Sequence, residues 1–141
     1  MPIDHIRDDF EVLDDWEDRY RYVMELGRAM APLDEALRTD TNKVRGCASQ
    51  VWIASRIAST ASGSDRTLVL VGDSDAHLVR GLVAITIALY EGLPLAEITT
   101  LDAEAALASL GLKEHLTPQR SNGLASMIKR IRADAEAALQ A

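Results

Sequence analysis

The chain has a single cysteine, Cys47, in 141 residues. One thiol excludes an internal disulfide, which fits a reducing compartment, and excludes any metal or cluster site built from several thiolates of one chain. Long apolar runs are missing as well, since nothing approaches the roughly 18 to 20 residues that span a bilayer. The N-terminus, MPIDHIRDDFEVLDDWEDRY, is acidic where a secretion signal is basic and then apolar. These absences predict a cytoplasmic protein with no membrane association. Positive charge is scarce, 15 Lys and Arg against 22 Asp and Glu, for a formal charge of −7. That balance opposes nucleic-acid binding, which depends on cations displacing counterions from phosphates. Glycine and proline are few, so the composition is neither disordered nor fibrous. No P-loop, G-x-G-x-x-G or G-x-S-x-G occurs, so nucleotide, dinucleotide and serine-hydrolase functions lack their minimum parts.

What is present predicts one domain over residues 1–141. From Asp15 to about Met30, Trp16, Tyr20, Val23, Met24 and Gly27 recur at mostly helical steps, with Asp14 or Asp15 as cap. Pro32 ends that helix or opens a short second one through Leu37, and Thr39 to Asn42 read as a loop. β-branched residues then recur over Val51–Thr60 and Thr67–Val71, with ASGSDR between them as turn chemistry, predicting an antiparallel hairpin. A further short strand is conceivable just before Gly46. After GDSD a strongly apolar helix is expected, capped by Ser74 or Asp75 and closed near Gly92. LPLAEI and DAEAALASLG read as short helices. A final helix from about Asn122 carries Leu124, Met127, Ile128, Ile131, Ala135 and Leu139 inward. Helices, hairpin, helices is the order of an α+β fold, a small antiparallel β-sheet packed against several α-helices.

Cys47 lies in KVRGCASQVWI, where a polar loop meets the first strand run. Gly46 leaves its neighbour unshielded, and Lys43 and Arg45 are expected to favour the reactive thiolate if they turn toward it. The bland alternative is a small buried apolar residue. A Cys/His hydrolase needs a base beside the sulfur. His5 lies in a stretch expected to fray, His77 opens an apolar helix, and His115 precedes a helix start, but spacing pairs none of them with Cys47. Asp73, Asp75 and His77 form a D-x-D-x-H string, read as helix-capping residues rather than metal ligands. Acidic residues crowd Asp4 to Asp18 while Arg120, Lys129, Arg130 and Arg132 lie at the far end, either as solvated faces or as a docking surface.

VRGCASQVWI, then GDSDAHLVRGLVAI, then GLKEHLTPQRSNGLASMIKRIR together resemble the SufE family, which includes the CsdE-like proteins, from about Phe10 to the last helix. The resemblance implies a SufE/IscU-like fold and an acceptor of sulfur from a pyridoxal-phosphate-dependent cysteine desulfurase. Such an acceptor stimulates that enzyme and passes the sulfur toward an iron–sulfur cluster assembly scaffold. It implies Cys47 as the persulfide carrier, with Arg120 on the arginine of the C-terminal motif; His115, shortly before the last helix, is taken beside them as a supporting residue. No cofactor or metal of the chain's own is implied, and a monomer or homodimer is expected. The chain reads Thr117-Pro118-Gln119-Arg120 where many relatives read S-P-S-R, a difference placed where partner contacts form. Three rivals differ in kind: a cluster scaffold, which one cysteine per chain disfavours; a non-catalytic adaptor that activates a desulfurase; and a Cys-dependent hydrolase. Shelter for a reactive persulfide is expected from Val44, Val51, Trp52 and the apolar helix.

Overall fold

A computed structural model of the chain describes residues 3–59 and 66–140. Two helices open it, α1 (Ile3–Val12) and α2 (Trp16–Ala29). The stretch expected to fray is instead a formed helix, because Ile6 and Phe10 lie one turn apart and are both buried among its acidic residues. Asp15 caps α2, its carboxylate accepting the Asp18 amide at 2.8 Å. A short 3-10 turn, Glu35–Leu37, leads through a loop to β1 (Val51–Ser59) and β2 (Arg66–Ser74).

The strands pair antiparallel, from Val51 opposite Ser74 to Ser59 opposite Arg66, as the hairpin reading requires. Thr60 and most of the ASGSDR turn, residues 60–65, lie outside the described residues. The short strand considered before Gly46 reduces to one bridge, Lys43 with Trp52. It is flanked by Val44 N–H donating to Val51 C=O at 2.8 Å and Ile53 N–H to Asn42 C=O at 2.9 Å.

After the sheet come α3 (His77–Tyr90), α4 (Leu95–Thr100), α5 (Ala103–Ala108), α6 (Leu112–His115) and α7 (Pro118–Gln140). The architecture is therefore α+β, with α3 at its centre against α2, β2 and α7. Apolar residues around most of its circumference suit that place. The last helix starts four residues before the expected Asn122, because Thr117 supplies its opening bonds: Oγ1 accepts the Arg120 amide at 3.2 Å and C=O the Ser121 amide at 2.9 Å. Its inward face also ends differently, with Ala138 buried and Leu139 43 % exposed.

Where α2 crosses α3 the backbones touch. A Cβ on Gly27 would lie 2.7 Å from the Gly81 nitrogen, and one on Gly81 would run into the Val23 carbonyl, 2.6 Å from its carbon. Arg80 locks the crossing by donating from Nε to Gly27 C=O at 2.7 Å and from Nη2 to Met30 C=O at 3.2 Å, satisfying carbonyls at the end of α2.

The D-x-D-x-H string does something other than cap α3, whose N-cap is Ala76 with no side-chain bond. Asp73, only 3 % exposed, ion-pairs with Arg80 Nη1 at 3.1 Å and with Arg38 Nη2. Arg38 in turn lies 5.0 Å over the Trp52 ring. Ser74 Oγ accepts the Ala76 amide, and Asp75 reaches Gln50. Asp73→Asn is expected to lower Tm by about 5–10 °C, because breaking a buried pair strands the remaining charges. Asp75→Asn, at an exposed position, should move it far less, and thermal melts of the two variants check the order.

Candidate functional site

The Val44–Val51 hydrogen bond closes residues 45–50 into a short loop. Its exit is fixed at Gln50, whose N–H donates to Asp75 Oδ1 at 3.0 Å while Asp75 N–H donates to Gln50 C=O at 3.3 Å. At its tip Gly46 has φ +89°, a left-handed angle, and a Cβ there would sit 2.5 Å from Ser126 Oγ. The left-handed conformation is what requires glycine. Cys47 follows, half-buried, its Sγ–H donating to Gly123 C=O of α7 at 3.6 Å. The approach is close: a Cβ on Gly123 would stand in van der Waals contact with Cys47, 3.4 Å from Sγ.

Beside the sulfur is a cavity of about 20 Å³, room for roughly one water-sized sphere. Val79 and Met127 form its apolar wall, and the exposed Gln119 and Arg120 stand at its rim. The shelter thus comes from α3 and α7. Val44 and Val51 serve instead as the base of the loop, and Trp52 as the platform for Arg38. A larger cleft of about 230 Å³ between α5 and α7 does not include Cys47.

Burial pushes the Cys47 thiol pKa up. The expected help from Lys43 and Arg45 does not materialise: Lys43 Nζ points to Gln50 Oε1 at 3.5 Å, and Arg45 is exposed. The resting group is a neutral thiol. Iodoacetamide is therefore expected to alkylate Cys47 more slowly than an unstructured cysteine peptide near pH 8, with its rate rising at higher pH than the peptide's. Because the folded pKa is the raised one, the stability tied to this burial is fully present below the ordinary thiol pKa. It is lost as pH climbs through the folded value, so wild type minus Cys47→Ala stability should shrink between neutral and alkaline pH.

Of the residues singled out from sequence, Arg120 joins Cys47 at the cavity. His115 does not, because its ring stacks on Trp16 at 3.8 Å between centroids. His5 sits 3.4 Å from Asp9 on α1, and no histidine lines the cavity among the described residues, so a Cys/His pair is not assembled. Two of the four basic residues named near the C-terminal end are committed to the fold. Arg130 donates to both Asp134 oxygens, at 3.0 and 3.2 Å, to Thr41 C=O at 3.1 Å and to Asn42 Oδ1 at 3.3 Å. Arg132 donates to Leu101 C=O. Sequence reasoning missed Val79, Gly123 and Ser126 as site residues. An isolated glycine inside a helical pattern, Gly123, was the available signal of a close approach.

This is a small α+β fold that holds one loop-borne thiol against a helix. The model of a family described as SufE: Fe-S metabolism associated domain matches residues 4–135. An uncharacterized SufE-like protein of Rhizobium meliloti is 52 % identical over 139 residues, 99 % of this chain and 98 % of the relative. Another, of Rhizobium etli, is 54 % identical over 134 residues, covering 95 % and 89 %. In fold, the chain is similar to the solution structure of a hypothetical protein from Thermus thermophilus, with TM-score 0.73 and 19 % identity over 99 % of this chain and 96 % of that one. The chain belongs to the SufE family. Membership makes it, in general terms, a sulfur-transfer partner of a cysteine desulfurase. Among the described residues no helix is long and apolar enough to cross a membrane.

Proposed function

We propose that Cys47 accepts sulfane sulfur from a cysteine desulfurase as a persulfide and passes it to an iron–sulfur cluster assembly scaffold in the cytoplasm, relieving the desulfurase and so stimulating it. The observation that carries this reading is the chain's only thiol, held at the tip of a loop beside a cavity of about one-atom size. In the transfer the Cys47 thiolate attacks the outer sulfur of the desulfurase persulfide. The new S–S bond forms on Cys47, the donor's S–S bond breaks, and the desulfurase thiolate leaves, with the Cys47 proton passing to solvent or to that thiolate. Burial disfavours the thiolate, so docking has to lift Cys47 from Gly123 before attack.

Intact-protein mass spectrometry after incubation with a cysteine desulfurase and free cysteine tests this. A reductant-sensitive gain of one sulfur atom is expected on wild type and none on Cys47→Ser. No gain despite demonstrated desulfurase binding would overturn the carrier and leave the adaptor, for which the half-buried neutral thiol is simple packing.

A further inference from the structure

His115 lies outside the cavity, yet the chain that roofs Cys47 hangs from it. We propose that His115 is a positioning residue: its flat ring, stacked on Trp16, fixes the corner between α6 and α7 so that the first turns of α7 close over Cys47. The inference rests on reading Cys47 as the sulfur site.

Trp16 is a firm anchor. It opens α2 beside the Asp15 cap, meets the buried Phe10 edge-on at 6.1 Å, and carries the Arg19 guanidinium 5.1 Å over its ring. That indole grips both ends of α6. At the start, Gly111 has φ +73° and would place a Cβ 3.0 Å from Trp16 Cζ2. At the finish, the His115 imidazole lies on the indole at 3.8 Å with the planes 16° apart. The Tyr20 hydroxyl, one turn further along α2, donates to the His115 carbonyl. Three residues then separate His115 from Gln119. They leave little slack, because Thr117 supplies the first bonds of α7 and Pro118 has a ring-restricted φ. Gln119, Arg120 and Gly123, all in the next turn and a half, line the cavity at Cys47. The contact the ring makes is through its face, on the Trp16 indole, while the backbone carbonyl takes the Tyr20 bond.

The test follows Cys47 alkylation by iodoacetamide in the intact protein, where no second thiol competes. His115→Ala should raise the rate by about three- to ten-fold, the equivalent of losing one aromatic pair. It should also move the pH dependence down toward that of an ordinary thiol. His115→Phe, which keeps a stacking ring and removes both nitrogens, should restore the wild-type rate and keep the persulfide gain. Alkylation of His115→Ala should stay flat in urea below the unfolding transition, as local opening requires; a climb with urea would mean general destabilisation and overturn the proposal. Wild-type alkylation of the Ala variant, or a Phe variant as fast as Ala, would also overturn it. The carrier reading fails separately: if wild type gains no sulfur while the alkylation pattern holds, the positioning role stands and the transfer role falls.

Discussion

Cys47→Ser is expected to return desulfurase turnover to its basal level while leaving the protein folded and able to bind the enzyme. Serine is close to cysteine in size and fits the same space, although its oxygen, on a shorter bond than the sulfur, falls out of hydrogen-bond reach of the Gly123 carbonyl unless the loop settles inward by a fraction of an ångström. The loop stays seated, because its base pairing at Val44 and Val51 and its tether at Asp75 involve no atom of the altered side chain. What disappears is the nucleophile. Binding kept with stimulation lost is the signature of a carrier. Full stimulation by the serine variant, measured as alanine or sulfide released per enzyme per minute, would transfer the function to the docking surface and make Cys47 a packing residue.

The second large effect is structural. Gly81→Ala is expected to destabilise the domain by about 2–4 kcal/mol, despite the roughly 1 kcal/mol that alanine gains over glycine inside a helix. The added methyl meets the Val23 carbonyl group, backbone of α2 rather than a flexible side-chain end. Relief therefore requires α2 to slide off α3, at the expense of the Arg80 bonds to Gly27 and Met30. Gly92→Ala is the control. It has open space around its missing side chain but φ +77°, so its cost is strain alone. Urea titrations of both should place the Gly81 variant well below the Gly92 variant; equal midpoints would show that the helices separate more easily than their contact implies.

The parts of this architecture that local chemistry writes into a few neighbouring residues were legible beforehand. Asp15 as a cap, the paired β-branched runs and the apolar circumference of α3 each depend on a short window of sequence. The place of Cys47, on a loop leading into the first strand, was legible too, through Gly46 and a polar approach. What escaped depends on partners far along the chain. Asp73 looks like a cap until Arg38, 35 residues away, closes on it. Gly123 looks like a tolerated helix glycine until Cys47, 76 residues away, rests on it. Lys43 and Arg45 are near Cys47 in sequence, but side-chain direction is not written in spacing, and both turn elsewhere or into solvent. In α1 the acidic residues drew attention from the Ile6–Phe10 pair that seats the helix. The family resemblance supplied Arg120 at the rim but could not say that His115 stands apart from it.

The loop tip touches α7 at two places one turn apart, Gly46 on Ser126 and Cys47 on Gly123. A side chain larger than alanine at 123, or larger than serine at 126, presses on that tip, and a lifted loop exposes the thiol to oxidants. Substitutions that leave helix propensity untouched at these two positions should therefore lose fitness first under oxidative growth, well before they affect the amount of folded protein.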